Sequence, residues 1–235
     1  EMRSRGLVPN AITYSSVSNA CAKGGEWQRA FDLLNEMRSH SLVPNEITYN
    51  SVINACAKGG ESQQALNLLD EMRSHGLMPN EITYCSVIHA CAKGNEWQRA
   101  LDLFDKMRIC KLTPDSVTYD AALNACAIGR QPERALSLFD LLQQEGLTAE
   151  LSHWCHLLDA LGPNHAQSCS LLLRMVEQPF FAGADSFEAG MPKWGRRGVA
   201  AGAAEMVVRR GLAAGLPQRL PSSQMSAPTQ VVLVP

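Results

Sequence analysis

Residues 46–80 read EITYNSVINACAKGGESQQALNLLDEMRSHGLMPN, and residues 11–45 read AITYSSVSNACAKGGEWQRAFDLLNEMRSHSLVPN; the two agree at 25 of 35 positions. Residues 81–115 keep the pattern and end in KLTPD, and residues 116–150, SVTYDAALNACAIGRQPERALSLFDLLQQEGLTAE, form a more diverged fourth copy. Residues 1–10, EMRSRGLVPN, match the last ten residues of a block, so the chain opens inside a truncated repeat. A fifth block starts at Leu151 with LSHWCHLLDAL and then loses the pattern, so 151–177 reads as a degenerate helical repeat or cap. A fixed period of about 20–50 residues marks a stacked array, because one unit cannot bury its own apolar face.

Within a block the apolar positions follow helical spacing twice. Tyr14, Val17, Ala20 and Cys21 outline a first helix, which Gly24-Gly25 stops, since glycine accepts the left-handed cap conformation. Trp27, Ala30, Phe31, Leu34 and Met37 outline a second, amphipathic helix that ends before Leu42-Val43-Pro44. Pro132 falls in the first turn of the fourth block's second helix, where a missing N–H costs little. No alternating apolar run argues for strands. The expected fold is all-α: a right-handed superhelix (solenoid) of antiparallel helix pairs, first helices on one face and second helices on the other. Trp27 and Trp97 are expected in the outer layer as core. Residues 178–235 hold 7 Gly and 6 Pro and read as a flexible low-complexity tail, with a short helix near 203–210.

Composition narrows the function. Hydrophobic residues at 46% can build a core, and a net charge of −2 rules out a polycation that binds nucleic acid through bulk charge. No run of about 18 apolar residues lacks charges, so no membrane partner is expected. Of eight cysteines, Cys21, Cys56, Cys91 and Cys126 recur in the same phrase, Asn-Ala-Cys-Ala. A disulfide framework would not repeat one position in this way. They read as small buried residues in a chain kept reduced. No Cys-x-x-Cys, His-Glu-x-x-His, phosphate-binding glycine loop or Gly-x-Ser-x-Gly occurs, so neither a cofactor nor catalysis is expected. His153, Cys155, His156, His165 and Cys169 lie close together, but their spacing matches no standard metal pattern.

The 35-residue helix pair that begins near Ile-Thr-Tyr, continues through Asn-Ala-Cys-Ala-Lys-Gly-Gly and Ala-Leu-x-Leu-x-x-x-Met, and closes on Gly-Leu-x-Pro-Asn resembles the pentatricopeptide repeat (PPR) family. The resemblance covers residues 1–150 well and 151–161 weakly. It implies a modular array in which each repeat reads one base of single-stranded RNA. The readers it implies are the residue after the first-helix tyrosine and the residue after the closing proline. Ser15 would pair with Asn45, favouring adenine, and Asn50 with Asn80, favouring cytosine over uracil. Cys85 would pair with Asp115, whose carboxylate can accept from the imino N–H of uracil or guanine. Asp120 with Glu150 departs from the pattern, and Ala149 replaces the proline. Ile12, Ile47, Ile82 and Val117 would clamp bases between neighbouring repeats, and Lys23, Lys58 and Lys93 would approach phosphates. Family members act mostly in chloroplasts or mitochondria, so a chloroplast or, alternatively, mitochondrial address is implied. No targeting segment is expected within this stretch, and the array is expected to be monomeric.

Each of these residues also admits a plainer role. Asn45, Asn80 and Asp115 are good helix N-caps. The Ile and Val row suits an inter-repeat core, and the lysines suit helix C-termini. Ser15 and Asn50 are read as exposed polar side chains with no packing duty. By block the charges are 0, −2, 0 and −3, which disfavours a polyanion. The competing function is therefore a protein-interaction solenoid that binds a peptide or partner and no RNA.

Overall fold

Four polar residues spaced by one repeat set the helix starts. Asn10, Asn45, Asn80 and Asp115 stand at N-caps in extended conformation. Each accepts, through Oδ1, the backbone N–H of the threonine three residues on, at 3.0, 3.0, 3.1 and 2.8 Å. This satisfies a donor that the first turn leaves orphaned. The computed structural model describes residues 9–162 together with 168, 170, 171 and 174. The truncated N-terminal stretch up to residue 8, the tail 178–235 and its suggested helix near 203–210 lie outside the described residues.

The capped helices are α1 (Ala11–Gly24), α3 (Glu46–Gly59), α5 (Glu81–Lys93) and α7 (Ser116–Gly129). The second helices of the four repeats are α2 (Trp27–Ser39), α4 (Ser62–Ser74), α6 (Trp97–Ile109) and α8 (Pro132–Gln144). The degenerate fifth block still forms α9 (Leu151–Leu161). The first helices end as expected: Gly25 and Gly60 take left-handed φ of 74° and 75°. In the third repeat Gly94 keeps an ordinary φ and Asn95 makes the left-handed turn one residue later, at 64°.

The layers follow from the contacts. α1, α3, α5, α7 and α9 stack side by side, and each second helix packs on its own first helix and on the first helix of the next repeat. One face of the array is thus all first helices. The core repeats as the sequence does: Tyr49, Val52, Ile53 and Cys56 from α3 meet Ala65, Leu68, Leu69 and Met72 from α4, all buried. Trp154 takes the tyrosine place in α9 and packs edge-on against Phe139, with ring centroids 4.6 Å apart. α1 is the exception that shows what stacking supplies. Val17 is 42% exposed, whereas its counterparts Val52 and Val87 are 0% exposed under the preceding first helix. Ser18, where Ile53, Ile88 and Leu123 stand later, is buried, and its hydroxyl has no hydrogen-bond partner among the described residues.

Two contacts tie repeats together. A Cβ placed on Gly59 would lie 2.6 Å from Trp27 Cδ1, and one on Gly129 would lie 2.4 Å from Trp97 Cδ2. The tryptophans are thus half-buried and pack directly against the next repeat's first helix, a closer role than general outer-layer core. The tyrosines close a second link. Tyr49 donates to Glu71 at 3.0 Å, and Arg38 of the preceding repeat pairs with the same carboxylate. Tyr119 donates to Glu145 at 2.8 Å, which Arg108 also reaches at 3.3 Å. In the third repeat Lys106 stands at the Glu71 position, and Arg73 donates directly to the Tyr84 hydroxyl at 2.9 Å.

The recurring cysteines are buried and free. Burial pushes the Cys56 thiol up to about 11, helped by Glu61, and the Cys91 thiol up to about 12, helped by Glu96. Burial likewise pushes Cys126 up to about 12, against the opposing charge of Arg134. They behave as small apolar residues, not as thiolates. No helix among the described residues is long and apolar enough to cross a membrane.

Candidate nucleic-acid interface

The N-terminal ends of the first helices lie side by side, and there the sequence-derived readers meet. They meet through a residue that block-wise reading of the sequence passes over, the threonine of Ile-Thr-Tyr. At the first junction Ser15 of α1 lies 2.8 Å from the Thr48 hydroxyl of α3, and that hydroxyl donates to the Asn45 cap at 2.9 Å. At the second junction Thr83 Oγ1 lies 2.6 Å from Asn50 Oδ1 and 3.0 Å from Asn80 Oδ1, and Asn50 Nδ2 reaches Asn80 Oδ1 at 3.4 Å. At the third, Thr118 donates to Asp115 Oδ1 at 2.7 Å, and Cys85 sits against the same hydroxyl. Burial raises the Cys85 thiol, Thr118 acts in the opposite direction, and the Asp115 charge raises it further. Each of these three pairs is therefore one cluster, with a buried threonine from the following repeat at its centre.

Several of the sequence expectations need correcting, among them the reading of Ser15 and Asn50 as exposed side chains with no packing duty: Asn50 is half-buried and bonded to Thr83 and Asn80. Ser15 is 7% exposed and spends its hydroxyl proton on Ala11 O at 2.9 Å, so it does have a packing duty. A serine is too short to rise past the threonine it meets. Asn50, one carbon longer and carrying an amide, is half-buried and reaches the surface of the cluster. Asp120 joins no such cluster. The threonine position of the fifth block is His153, fully buried, whose Nδ1 accepts the Glu150 N–H at 2.9 Å and whose Nε2 donates to Ser116 O at 2.9 Å. With the imidazole turned inward, Asp120 faces His156 Nε2 at 3.6 Å instead. Glu150 still stands at the N-cap of α9, where His153 accepts its backbone N–H.

Beside these clusters runs an apolar row open to solvent. Ile12, Ile47, Ile82 and Val117 are 74%, 65%, 62% and 56% exposed. The inter-repeat core reading of these residues is thus excluded, since a core residue would be covered. Aliphatic side chains repeated along one edge of an array are available to lie against flat apolar faces. Glu46 and Glu81, also exposed, precede two of them and keep this edge from being cationic.

The lysines stand at the opposite end of the first helices, and Lys23, Lys58 and Lys93 are all exposed. Lys93 Nζ donates to Lys58 O, the carbonyl near the end of α3, at 3.0 Å. It thereby satisfies the C-terminal role. His89, on the same face of α5, has its pKa lowered by burial and by Lys93, with Asp120 opposing. Among the described residues no group of three His, Cys, Asp or Glu side chains is placed to hold a metal ion. His165 and Cys169 lie outside the described residues.

The architecture defines a class: a helical-repeat array that presents one polar cluster and one exposed aliphatic side chain per repeat along the edge of a single face. The PPR repeat family model matches residues 19–58, 44–93 and 86–128, and a PPR repeat model matches 117–147. The chain belongs to the PPR repeat family. No curated protein matches its sequence. Among solved structures it is similar to the maize pentatricopeptide repeat protein PPR10 in complex with an 18-nt psaJ RNA element. The TM-score is 0.60 at 23% identity, over 90% of this chain and 30% of that one. It is similar to nuclear proteinaceous RNase P 2 (PRORP2) from A. thaliana, with a TM-score of 0.64 at 16% identity, over 77% and 41% of the two chains. It is also similar to the PPR domain of Arabidopsis thaliana protein-only RNase P 1 (PRORP1) in complex with tRNA, with a TM-score of 0.60 at 18% identity, over 74% and 95%. At these identities the likeness concerns the fold, and the chain spans about a third of the length of PPR10.

Proposed function

We propose that this array binds single-stranded RNA and selects its sequence one base per repeat, at the Ser15–Asn45, Asn50–Asn80 and Cys85–Asp115 clusters. The observation that carries the reading is the exposed row Ile12, Ile47, Ile82 and Val117 beside those clusters. An aliphatic side chain against each base face supplies sequence-tolerant affinity, and the polar cluster between two such side chains supplies the edge contacts that discriminate. The solved PPR10 and PRORP1 relatives are described as RNA and tRNA complexes, which supports the ligand class. The third cluster favours a base with an imino N–H, because Asp115 can only accept. The fourth repeat contributes stacking at Val117 and no reading, since Asp120 faces His156 and joins no threonine-centred cluster.

The array supplies binding and no bond chemistry. Its place is transcript processing, stability, editing or translation in an organelle, the chloroplast first and the mitochondrion as the alternative. Affinity rests on stacking and hydrogen bonds more than on charge, because block charges of 0, −2, 0 and −3 leave only the lysine row for phosphates. With at most three such lysines, the slope of log K against log salt is about −2 or shallower.

The test is selection from a randomised pool of short single-stranded RNAs at two salt concentrations, beside Asn50→Ser. We expect enrichment of adenine, then a pyrimidine, then uracil or guanine, with the second base drifting towards adenine in the variant. A pool that emerges unenriched at low salt overturns the RNA reading and favours a protein partner for the same face.

A further inference from the structure

The second cluster contains one hydroxyl proton and two carbonyl oxygens that compete for it. Thr83 Oγ1 is 2.6 Å from Asn50 Oδ1 and 3.0 Å from Asn80 Oδ1. Asn80 Oδ1 caps α5 by accepting the Thr83 N–H at 3.1 Å, and Asn50 Oδ1, at 2.6 Å, is the closer of the two acceptors for the hydroxyl proton. The Thr83 oxygen in turn accepts the Asn80 N–H at 3.2 Å, which leaves the proton to point at the nearer acceptor, Asn50 Oδ1. Both side-chain carbonyls of the pair are then held inside the cluster. Asn50 also gives one amide N–H to Asn80 Oδ1 at 3.4 Å, so Asn50 is left with its second N–H to offer and Asn80 with its NH2 group.

We infer that Thr83 is a positioning residue that fixes Asn50 and Asn80 as an all-donor pair, and that this orientation makes the second repeat prefer cytosine to uracil. The inference rests on the base-reading proposal and adds to it the group that sets the pair's polarity. Asparagine is ambivalent: a free amide can present either its oxygen or its nitrogen. Cytosine carries two adjacent acceptors, O2 and N3, on its pairing edge, and an all-donor pair matches both. Uracil has an N–H at position 3, which meets such a pair donor to donor. With the Thr83 hydroxyl removed, Asn50 is free to turn its oxygen outward and accept that N–H, so the discrimination relaxes.

The third cluster supplies an internal control. Thr118 donates to Asp115 Oδ1 at 2.7 Å, and Asp115 also caps its helix. A carboxylate has no donor end to turn outward. Its second oxygen remains an acceptor whether or not Thr118 has a hydroxyl. The two threonines are structurally equivalent, both fully buried at the same place in the repeat. A merely structural role predicts the same outcome for both, whereas an orienting role predicts a larger change of base preference at Thr83 than at Thr118.

The experiment repeats the randomised single-stranded RNA selection with the full chain and with Thr83→Val, Thr83→Ser and Thr118→Val, each checked by thermal melting. The position read by the second repeat is identified as the one whose preference moves in Asn50→Ser. Loss of one oriented hydrogen bond corresponds to roughly a two- to tenfold drop in the cytosine-over-uracil ratio at that position. We expect this drop in Thr83→Val, recovery in Thr83→Ser, and a smaller change of third-base preference in Thr118→Val than Thr83→Val causes at the second base. Thr83→Ala is read in place of Thr83→Val where the valine variant does not fold. A folded hydroxyl-free variant that keeps the full cytosine preference overturns the inference and leaves the base-reading proposal standing. A wild-type chain with no preference at that position overturns both.

Discussion

Gly24, Gly59 and Gly129 occupy the same position, the last residue of a first helix, yet alanine should act on them with opposite signs. At Gly24 the nearest atom to an added Cβ is Glu26 Cγ at 3.9 Å, an ordinary contact, and the backbone is helical. Gly24→Ala is therefore expected to stabilise by about 0.5–1 kcal/mol, the usual difference between glycine and alanine in a helix. At Gly129 the same methyl would lie 2.4, 2.7 and 2.9 Å from three ring carbons of Trp97. Carbon pairs rest at about 3.5–4.0 Å, so the ring must move by about 1 Å or more. An indole cannot bend to relieve this, and it is already packed against the core. Overpacking of this kind costs about 1–3 kcal/mol. Gly59→Ala meets Trp27 Cδ1 at 2.6 Å and should destabilise by a similar amount.

Urea midpoints followed by far-ultraviolet circular dichroism read these changes, and tryptophan fluorescence reports the ring displacement directly. Trp97→Ser, which copies the serine that Ser62 places at the same point of the second repeat, completes a double-mutant cycle. The penalty of Gly129→Ala should shrink in the serine background but persist in part, since a Cβ on Gly94, which faces Ser62, would still lie 2.9 Å from Ser62 Cβ and 3.0 Å from Gly60 O. Equal shifts of the same sign for Gly24→Ala and Gly129→Ala would refute the claim that the tryptophan, not the helix end, demands glycine.

Raising the pH should unfold the array through its buried thiols. Below pH 9 these are protonated in both states; above it the unfolded thiols ionise while Cys56, Cys91 and Cys126 stay protonated to about 11, 12 and 12. Stability therefore falls from pH 9 upward, by at most about 1.4 kcal/mol per pH unit for each thiol. Urea midpoints at pH 8, 10 and 11 check this, and Cys91→Ala should flatten the fall; a midpoint that does not move counts against it. Lys111 holds a left-handed φ of 60° where Gly76 and Gly146 stand in two other repeats. Lys111→Gly should therefore raise the stability read from the midpoint by about 0.5–1 kcal/mol, and an unchanged or lower midpoint tells against strain at that turn.

The period, the helix pairs, the caps and the buried cysteines were legible because each is a within-repeat pattern. Asn80 is a good cap wherever a helix begins, and Cys91 is small and apolar in any register. The signals that escaped join one repeat to the next. Ser15 and Thr48 are 33 residues apart, and so are Asn50 and Thr83. Trp27 and Gly59, or Trp97 and Gly129, are nearly as far apart. Reading the chain block by block cuts through each of these pairs, so the threonine of Ile-Thr-Tyr looks like filler and the glycine that ends a first helix looks only like a stop. The sequence held one clue that crosses the boundary. Where the threonine gives way to His153, the reader opposite it, Asp120, is also the one that breaks the expected pairing. The two departures lie 33 residues apart and are one event: a side chain too large to sit between two readers turns inward, and the residue it would have oriented faces His156 instead. Base reading in this array is therefore a property of junctions, and the junction ending at Thr118 is the last that the described chain can form with a threonine at its centre.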